Sequence, residues 1–440
     1  MADNARTLTV KALMRVSSGG FSNIVLDSML TESGLEHRDR AFASALFYGV
    51  LERRITLDYL IKRYSSKPLD KLSPEVLEAL RLGFYQLLYM NSVPDNAAVS
   101  ETVETVKRLG SGKASGFVNG ILRSFIRGGK TAEFSRMRGP ERLSAQYSAP
   151  LWLCKKWSGE FGPERTEKAL AASLGAPPIY LRVNTTKTTA GELVNTLEEE
   201  GVSAVSCGVL PTALVINSAA PQNTKAYKNG LFHVQDISSQ LCALAVGAER
   251  GERVLDVCAA PGGKTFTVAE IMKGEGEIVS CDLHPKRAGL VKNGAERLGL
   301  KNVCAMANDA TVFNESLGKF DRVLCDVPCS GLGVISRKPE IRYKKPDELV
   351  KLPKIQFKIA STSAGYLREG GTLVYSTCTL SKEENENVVK RLISECGLLP
   401  ERLPEELQKY SEDGFSVTLL PGEINSDGFY FAKFRKGDKL

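Results

Sequence analysis

The chain has 440 residues, a hydrophobic content of 42% and a formal net charge of +7 at pH 7. This length favours two to four domains, and the composition is that of an ordinary globular protein. No apolar run reaches the roughly 18 residues that a membrane span needs. Residues 1–14 contain Asp3 and lack the apolar region of a signal peptide. We therefore expect a soluble, cytoplasmic protein.

The ten cysteines are spread along the whole chain, and several lie inside apolar runs, such as Cys281, Cys304 and Cys325. Free cysteine packs as a small hydrophobic residue, and reduced thiols are usual in a cytosolic enzyme. The sequence has no CxxC pair and only three histidines. These counts favour free thiols and argue against a structural zinc site, so no metal is expected.

The positive charge is concentrated near the start of the chain. Residues 1–140 hold 20 Lys and Arg against 14 Asp and Glu, an excess of six, whereas the rest is nearly balanced. A basic region beside a near-neutral one is typical of nucleic-acid binding. A solvated helical surface explains the same charge equally well.

Residues 1–127 are predicted to be helical. Ser73 has the character of an N-cap and Pro74 that of a first helical residue. Apolar residues then recur at helical spacing, and a later segment with the same period stops at Gly128 and Gly129. We expect residues 1–127 to form a helical bundle with its own core, within a domain of residues 1–140, and residues 128–150 to be a linker.

A small α+β module is predicted over residues 141–235. Residues 179–183 have the pattern of a strand, Leu193, Val194 and Leu197 that of a helix, and residues 202–209 and 213–216 that of further short strands. Its role is predicted to be RNA binding.

Strands and helices then alternate over residues 236–440, which predicts a third, α/β domain. The strand-like runs are 253–258, 277–281, 303–307, 321–325 and 372–375. This order is typical of a mostly parallel sheet covered by helices on both faces. The last run, 428–434, follows a turn-rich stretch without a helix and is predicted to be antiparallel.

A loop of small residues closes the first of these strands and opens a helix. Such a loop lets a ligand approach the backbone and the free N–H groups of the helix. Asp282 ends the next strand, where an acidic residue commonly binds a ribose hydroxyl, and Asp309 follows the third strand. Together these features favour S-adenosylmethionine, although each aspartate alone could be a helix cap. The loop residues are Cys258, Ala259, Ala260, Pro261, Gly262, Gly263 and Lys264.

Two cysteines lie just past strand ends, where ligands bind in open α/β sheets. Cys329 follows Asp326, and Cys378 follows the next strand. A thiolate that adds to carbon 6 of a pyrimidine makes carbon 5 nucleophilic, and an acid such as Asp326 can offset the charge on the ring. Cys281 and Cys325, inside strands, are assigned to packing. The residues alone leave open which thiol attacks.

Three motifs of the α/β domain resemble those of RNA 5-methylcytosine methyltransferases: residues 256–265, 326–333 and 375–380. Residues 182–185 and 234–240 also look like motifs of that family. Residues 37–42 and 116–122 resemble NusB-type RNA-binding domains. The combination resembles the RsmB/Sun group, which methylates cytosine in small-subunit ribosomal RNA. This likeness implies a Rossmann-like class I methyltransferase domain after the NusB-like bundle and the module.

The resemblance also implies a role for each matching residue. Cys378 would be the nucleophile, and Cys329 would assist release of the product. The loop from Cys258 to Lys264, with Asp282, Asp309 and Asp326, would contact S-adenosylmethionine. The expected protein is a monomer that binds small-subunit ribosomal RNA and neither a membrane nor a metal.

A basic run directly follows Cys329 and is predicted to contact RNA phosphates while the target base is turned out. A solvated helix face is the other interpretation. Two other functions also stay open: a transfer-RNA cytosine methyltransferase, and an RNA-binding assembly factor without catalysis. The residues expected to contact RNA are Arg337, Lys338, Arg342, Lys344 and Lys345.

Overall fold

The computed structural model of the chain describes residues 3–20, 22–218 and 220–437. Its internal contacts divide the chain into two compact units. The helical unit comprises Met1–Leu174 and Ile335–Lys344, and the sheet unit comprises Gly175–Val334 and Lys345–Leu440. No helix among the described residues is long and apolar enough to cross a membrane.

The helical unit confirms the predicted bundle. A short 3-10 turn, Pro339–Tyr343, belongs to this unit as well. Its α-helices within the described residues are α1 (Ala5–Ser17), α2 (Ser22–Glu32), α3 (His37–Tyr64), α4 (Pro74–Tyr89), α5 (Asp95–Arg108), α6 (Ser115–Arg127), α7 (Gly139–Tyr147), α8 (Leu151–Phe161) and α9 (Pro163–Ala172).

The core of the bundle forms because each helix has one apolar face. In α4, Val76, Leu80 and Phe84 are buried at helical spacing. Ser73 and Pro74 start this helix as predicted, although the Ser73 side chain makes no capping hydrogen bond. Gly49 lets α3 approach α4, because a β-carbon there would lie 2.0 Å from the ring of Tyr85.

The predicted linker over residues 128–150 is partly helical. Helix α7 occupies its second half, and α8 and α9 follow without a long break. These helices pack on the bundle, since Thr56 Oγ1 donates to the carbonyl of Ala145 at 2.7 Å and Ser148 Oγ accepts from the amide of Ile55 at 3.0 Å. Residues up to Leu174 therefore lie in the helical unit. The three-domain division, with boundaries at 140 and 235, stays a prediction.

The segment Ile335–Lys344 is embedded in the helical unit. Arg342 is only 1% exposed, and its guanidinium donates to the carbonyls of Ser148 at 3.1 Å and Ser173 at 3.2 Å. The hydroxyl of Tyr343 donates to the carbonyl of Leu51. Peptide oxygens at helix ends and turns thus surround one buried cation, which compensates for its lost hydration.

The sheet unit contains every strand that the structure describes. The strands are β1 (Ile179–Val183), β2 (Ala204–Ser206), β3 (Ala213–Ile216), β4 (Phe232–Val234), β5 (Arg253–Asp256), β6 (Glu277–Asp282), β7 (Val303–Ala307), β8 (Phe320–Asp326), β9 (Leu367–Thr377), β10 (Leu398–Pro400), β11 (Ser416–Leu419) and β12 (Phe429–Lys436). The helices are α10 (Ala190–Glu199), α11 (Lys225–Lys228), α12 (Ile237–Ala245), α13 (Gly263–Ile271), α14 (Pro285–Leu298), α15 (Pro346–Leu349), α16 (Leu352–Ala364), α17 (Glu386–Cys396) and α18 (Glu405–Gln408).

Two sheets form within this unit. The smaller one is antiparallel, in the order β2-β3-β1-β4. The larger one has the order β10-β12-β9-β8-β5-β6-β7, with β11 paired to β12. Strands β5 to β9 are parallel to one another, whereas β12 pairs with β9 in the antiparallel direction. This arrangement confirms the predicted mixed sheet.

The parallel strands are covered on both faces. In β5, Val254 and the next residue, Leu255, are both buried but lie in different apolar clusters. Successive strand residues point to opposite faces, so both faces carry a core. The strand order reverses between β5 and β8, and ligands bind beyond the carboxyl ends of the strands at such a switch point.

Candidate active site

The carboxyl ends of the parallel strands meet at one edge of the large sheet. Asp256, Asp282 and Asp326 are the last residues of β5, β6 and β8. Cys378 directly follows β9, which pairs with β8 so that Asp326 lies opposite Ser376. This edge therefore collects carboxylates and a thiol from four strands.

The two predicted reactive cysteines lie side by side. The Sγ atoms of Cys329 and Cys378 are 3.0 Å apart, and both are free cysteines. The amide of Gly333 donates to the carbonyl of Cys378 at 3.0 Å, which joins the two loops. The pKa of Cys329 is raised well above its ordinary value by its hydrogen bond with Cys378, by burial and by the nearby charges of Cys378, Glu384 and Asp326. Cys329 is thus a protonated thiol near neutral pH.

A buried ammonium group stands beside the carboxylate of Asp326. Lys264 Nζ lies 2.7 Å from Asp326 Oδ2, and the hydroxyl of Ser376 donates to Oδ1 at 2.9 Å. Burial lowers the pKa of Lys264, but the charge and hydrogen bond of Asp326, together with the charges of Cys242 and Cys378, raise it by more, so the net shift is upward. Lys264 is therefore charged. The sequence interpretation placed it only in the cofactor loop, whereas its contact is with the predicted acid of the reaction.

The glycine-rich loop starts α13 with a backbone that only glycine adopts easily. Gly262 has φ +114° at the N-cap position, and a β-carbon there would lie 2.3 Å from the ring of Phe266. The loop borders a cavity of about 200 Å³. The lining residues are Val234, Gln235, Asp236, Ser239, Asp256, Cys258, Ala259, Ala260, Pro261, Gly263, Lys264 and Asp326.

Asp256 lies at the base of this cavity, and the sequence analysis assigned it no role. It is buried, and Thr265 Oγ1 donates to its Oδ2 at 2.7 Å. Burial raises the pKa of this carboxyl group to about 7. A carboxyl group that titrates near neutrality beside Lys264 and Asp326 is a usual feature of functional sites.

The two other predicted cofactor aspartates differ in their surroundings. Asp282 is 2% exposed, accepts from the amide of His284 at 3.1 Å and pairs with Arg287 at 3.1 Å. Asp309 is exposed and accepts from the amide and hydroxyl of Thr311, which lower its pKa. Neither caps a helix.

Leu283, next to Asp282, is 56% exposed and offers an apolar surface that the sequence did not predict.

Comparison with known proteins decides the family. The chain matches the description "16S rRNA methyltransferase RsmB/F" over residues 243–435, the NusB family over residues 3–127 and an RsmF/B-like ferredoxin-like domain over residues 149–223. It is 38% identical to the protein named probable ribosomal RNA small subunit methyltransferase B of Bacillus subtilis, over 98% of this chain and 99% of that one. The chain belongs to the RsmB/F family of 16S rRNA methyltransferases.

Other relatives agree with this membership. Ribosomal RNA small subunit methyltransferase B of Salmonella paratyphi A is 32% identical over 99% of both chains. The crystal structure of PH0851 superposes with a TM-score of 0.78 at 24% identity, covering 99% of this chain and all of that one, which shows the fold alone. The chain is thus an rRNA methyltransferase with a NusB-like helical domain and a Rossmann-like domain. The family supports S-adenosylmethionine as the cofactor.

In this methyltransferase the basic residues predicted to contact RNA differ in their exposure to solvent. Arg337, Lys338 and Lys345 are exposed, and Lys344 is half-buried. Arg342 is a correction, because its guanidinium is buried against peptide carbonyls and is not available to a phosphate. The positive charge of Arg342 is the same as that of its neighbours, so the sequence could not show that this side chain alone is buried.

Two polar residues that the sequence analysis missed lie under the cysteine loops of the methyltransferase. Glu384 and Asn385 precede α17 and are each 1% exposed. The only signal in the sequence is their position six and seven residues after Cys378, within a run that also contains Glu383 and Glu386. Nothing in that run indicates which acid turns inward.

Proposed function

We propose that this methyltransferase transfers a methyl group to carbon 5 of a cytosine in small-subunit ribosomal RNA through a covalent bond between Cys378 and the base. One observation carries the proposal: the thiols of Cys329 and Cys378 lie 3.0 Å apart beside the Lys264–Asp326 pair. Two adjacent thiols and a polarised acid are what addition to a pyrimidine and the later elimination require.

Cys378 acts first in this proposal. Its sulfur, having lost its proton, bonds to carbon 6 of cytosine, and the electrons of the 5,6 double bond shift toward the ring carbonyl and nitrogen 3. Asp326, held by Lys264 and Ser376, faces the charge that builds on the ring. The proton that nitrogen 3 takes passes from the ammonium group of Lys264 through the carboxyl group of Asp326, and it returns by the same route when the ring double bond is restored. The resulting carbon 5 nucleophile then takes the methyl group.

Cys329 acts in the second half of the reaction. The hydrogen on carbon 5 must leave as a proton before the bond between Cys378 and carbon 6 can break. The thiol of Cys329 first loses its own proton to water, and the thiolate then takes the proton from carbon 5. This thiolate is a stronger base than an ordinary one, because the pKa of Cys329 is raised. Proton removal restores the double bond, and the electrons of the sulfur–carbon bond return to Cys378.

The cavity beside the glycine-rich loop is the site that we assign to the cofactor, because its lining joins this loop to Asp256 and Asp326. S-adenosylmethionine supplies an electrophilic methyl group when bound. Residues from Cys258 to Lys264 would contact it through a backbone that Gly262 bends, and Asp282 would accept from a ribose hydroxyl. Asp309 and Asp326 complete the proposed contacts. Exposed Leu283 would cover an apolar ring face.

RNA contacts are proposed for Arg337, Lys338, Lys344 and Lys345, of which three are exposed and one is half-buried. Their charges would hold phosphates without reading sequence. A cytoplasmic location is proposed as well, because the reaction needs free thiols and an RNA substrate.

The test is to map 5-methylcytosine in small-subunit rRNA from cells that lack the protein, with and without wild-type or Cys378→Ala protein. We expect one cytosine to lose its methyl group and to regain it only with the wild type. Methylation at another atom, restored equally by Cys378→Ala, would overturn the proposal. Loss of the mark in transfer RNA would favour the alternative substrate.

A further inference from the structure

A buried carboxylate without a cation lies beneath the loop of Cys329. Glu384 is 1% exposed, and no ion pair with Lys, Arg or His involves it within the described residues 3–20, 22–218 and 220–437. It accepts from the amide and the hydroxyl of Ser330 at 2.9 and 2.5 Å, and from Gln356 Nε2 at 2.8 Å. Burying a carboxylate is costly, and these three donors compensate for part of its lost hydration.

These hydrogen bonds hold the chain on both sides of Cys329. Ser330 is the residue after the cysteine. Gln356 reaches the residue before it, because the same Nε2 group also donates to the carbonyl of Pro328 at 3.0 Å. Both Ser330 and Gln356 are fully buried, so water does not compete for their donors.

The next residue, Asn385, does the same for Cys378. Its Oδ1 accepts from the hydroxyl of Thr377 at 2.6 Å, and its Nδ2 donates to the carbonyl of Thr379 at 3.0 Å. Asn385 occupies the N-cap position of α17, where asparagine usually caps the helix, yet its side chain makes no capping bond. Its amide serves the cysteine loop instead.

One hydroxyl pair connects the two arrangements. Ser330 Oγ, bound to Glu384, lies 2.7 Å from Thr379 Oγ1. Glu384 and Asn385 are in turn tied to the sheet, since the hydroxyl of Tyr375 donates to the carbonyl of Glu384 at 2.5 Å. Glu384 therefore holds the residues on both sides of Cys329, and Asn385 holds those on both sides of Cys378. Both are anchored to β9 through Tyr375.

We propose that Glu384 and Asn385 are positioning residues of the methyl transfer reaction, Glu384 for Cys329 and Asn385 for Cys378. The inference rests on the proposed function and assigns one positioning residue to each of the two cysteines. Asn385 sets where the attacking sulfur stands relative to carbon 6. Glu384 sets where the second sulfur stands relative to the hydrogen on carbon 5.

The two residues should therefore affect opposite halves of the reaction. A displacement of about 1 Å at a reacting atom can cost roughly 100-fold in rate. Asn385→Ala should slow formation of the covalent RNA adduct by about that factor. Glu384→Gln cannot accept from all three donors and should leave adduct formation within about threefold, while release slows by about 100-fold.

The experiment mixes each full-length variant with S-adenosylmethionine and an rRNA fragment that contains the methylated cytosine. Rates of adduct formation come from denaturing gels, and rates of product release from methyl label in free RNA. Glu383→Gln and Asn387→Ala, at exposed neighbouring positions, are matched controls and should behave as wild type. An adduct that accumulates with Glu384→Gln but not with Asn385→Ala supports the assignment. Equal loss of both steps in folded variants overturns it.

A second measurement is independent of RNA. Diamide oxidises two adjacent thiols to a disulfide and is itself reduced to the hydrazine. We expect the peptide linked through Cys329 and Cys378 to form at least about tenfold more slowly in both variants, because the sulfurs no longer stay 3.0 Å apart. Unchanged linking in both variants would overturn the positioning role. Slower linking in an enzyme whose wild type forms no RNA adduct would support positioning and refute the covalent mechanism.

Discussion

Lys264 Nζ stands 2.7 Å from Asp326 Oδ2, in a partly buried pair whose side chains are 11% and 29% exposed. The pair joins the cofactor loop to the strand end that carries Cys329. A base bound there would meet a carboxylate whose charge is already balanced. In the proposed reaction Lys264 therefore contacts the cofactor and also balances the charge of the acid that faces the base.

Lys264→Gln should lower methyl transfer by about 100-fold, because the ammonium group that offsets charge at Asp326 is lost. Single-turnover methylation of the rRNA fragment measures this rate. Lys273→Gln, at an exposed position two residues after the end of α13, is the matched control. A normal rate with Lys264→Gln would remove this lysine from the reaction.

The two cysteines should fail differently. Cys378→Ala should give neither methylation nor a covalent RNA complex. Cys329→Ala should still add Cys378 to the ring and then stall, because elimination at carbon 5 is impaired, and the complex should survive denaturing electrophoresis. Cys304→Ala, an exposed thiol away from the strand ends, should behave as wild type. An adduct that accumulates with Cys378→Ala and is absent with Cys329→Ala would swap the two roles.

Asp282→Ala should weaken S-adenosylmethionine binding by about 1–3 kcal/mol, because buried hydrogen bonds to a charged group are lost. Calorimetry on the folded variant measures the affinity. Asp347→Ala, at an exposed position of α15, should bind as wild type. Unchanged affinity in Asp282→Ala would place this residue outside the cofactor site.

Asp256 should make stability depend on pH. Its pKa is raised to about 7 by burial, whereas an unfolded aspartate titrates near 3.9. Between about pH 4 and pH 7 the folded state holds a proton that the unfolded state has lost. The free energy of unfolding from this group should therefore fall as pH rises through that window.

Urea unfolding of the wild type and of Asp256→Asn over pH 5 to 8 isolates this contribution. Asparagine can still accept from Thr265 but does not titrate, so the variant should lose part of the decline with pH. The same pH dependence in both proteins would show that Asp256 does not titrate there. Asp347→Asn, which is exposed, should match the wild type.

Exposed and buried members of the basic run should respond to different measurements. Lys338→Ala and Lys345→Ala should each weaken RNA binding and reduce its salt dependence by about one unit of slope. Arg342→Met should lower the thermal midpoint instead, because several peptide carbonyls lose their donor. A salt slope that changes with Arg342→Met in a stable protein would restore this arginine to the RNA contacts.

Much of the fold could be predicted because its patterns are local. Val254 and Leu255 are consecutive apolar residues, and both are buried, as expected for a strand that is covered on both faces. Helix α7 lies within the residues predicted to be a linker, because Pro140 and Pro150 suggest loops. In the structure Pro140 lies in the first turn of α7 and Pro150 directly precedes α8.

The residues of the proposed site were predictable to the extent that they follow strand ends. Direction was not. Glu383 is exposed and Glu384 buried, and Arg342 points into a unit whereas Lys345 faces solvent. Such differences depend on which partners the fold brings close, and those partners are distant in sequence: Gln356 for Glu384 and Ser173 for Arg342.

The course of the chain through Ile335–Lys344 has a consequence for how the protein can be divided. The polypeptide leaves the sheet unit after Val334, spends ten residues inside the helical unit and returns at Lys345. The sheet unit is therefore not a contiguous gene segment. A fragment that begins at Gly175 would carry Arg342 and Tyr343 without the carbonyls that they bind. In such a fragment the stretch that starts six residues after Cys329 would lack its natural support. The helical unit is thus part of what holds the polypeptide that follows the loop of Cys329.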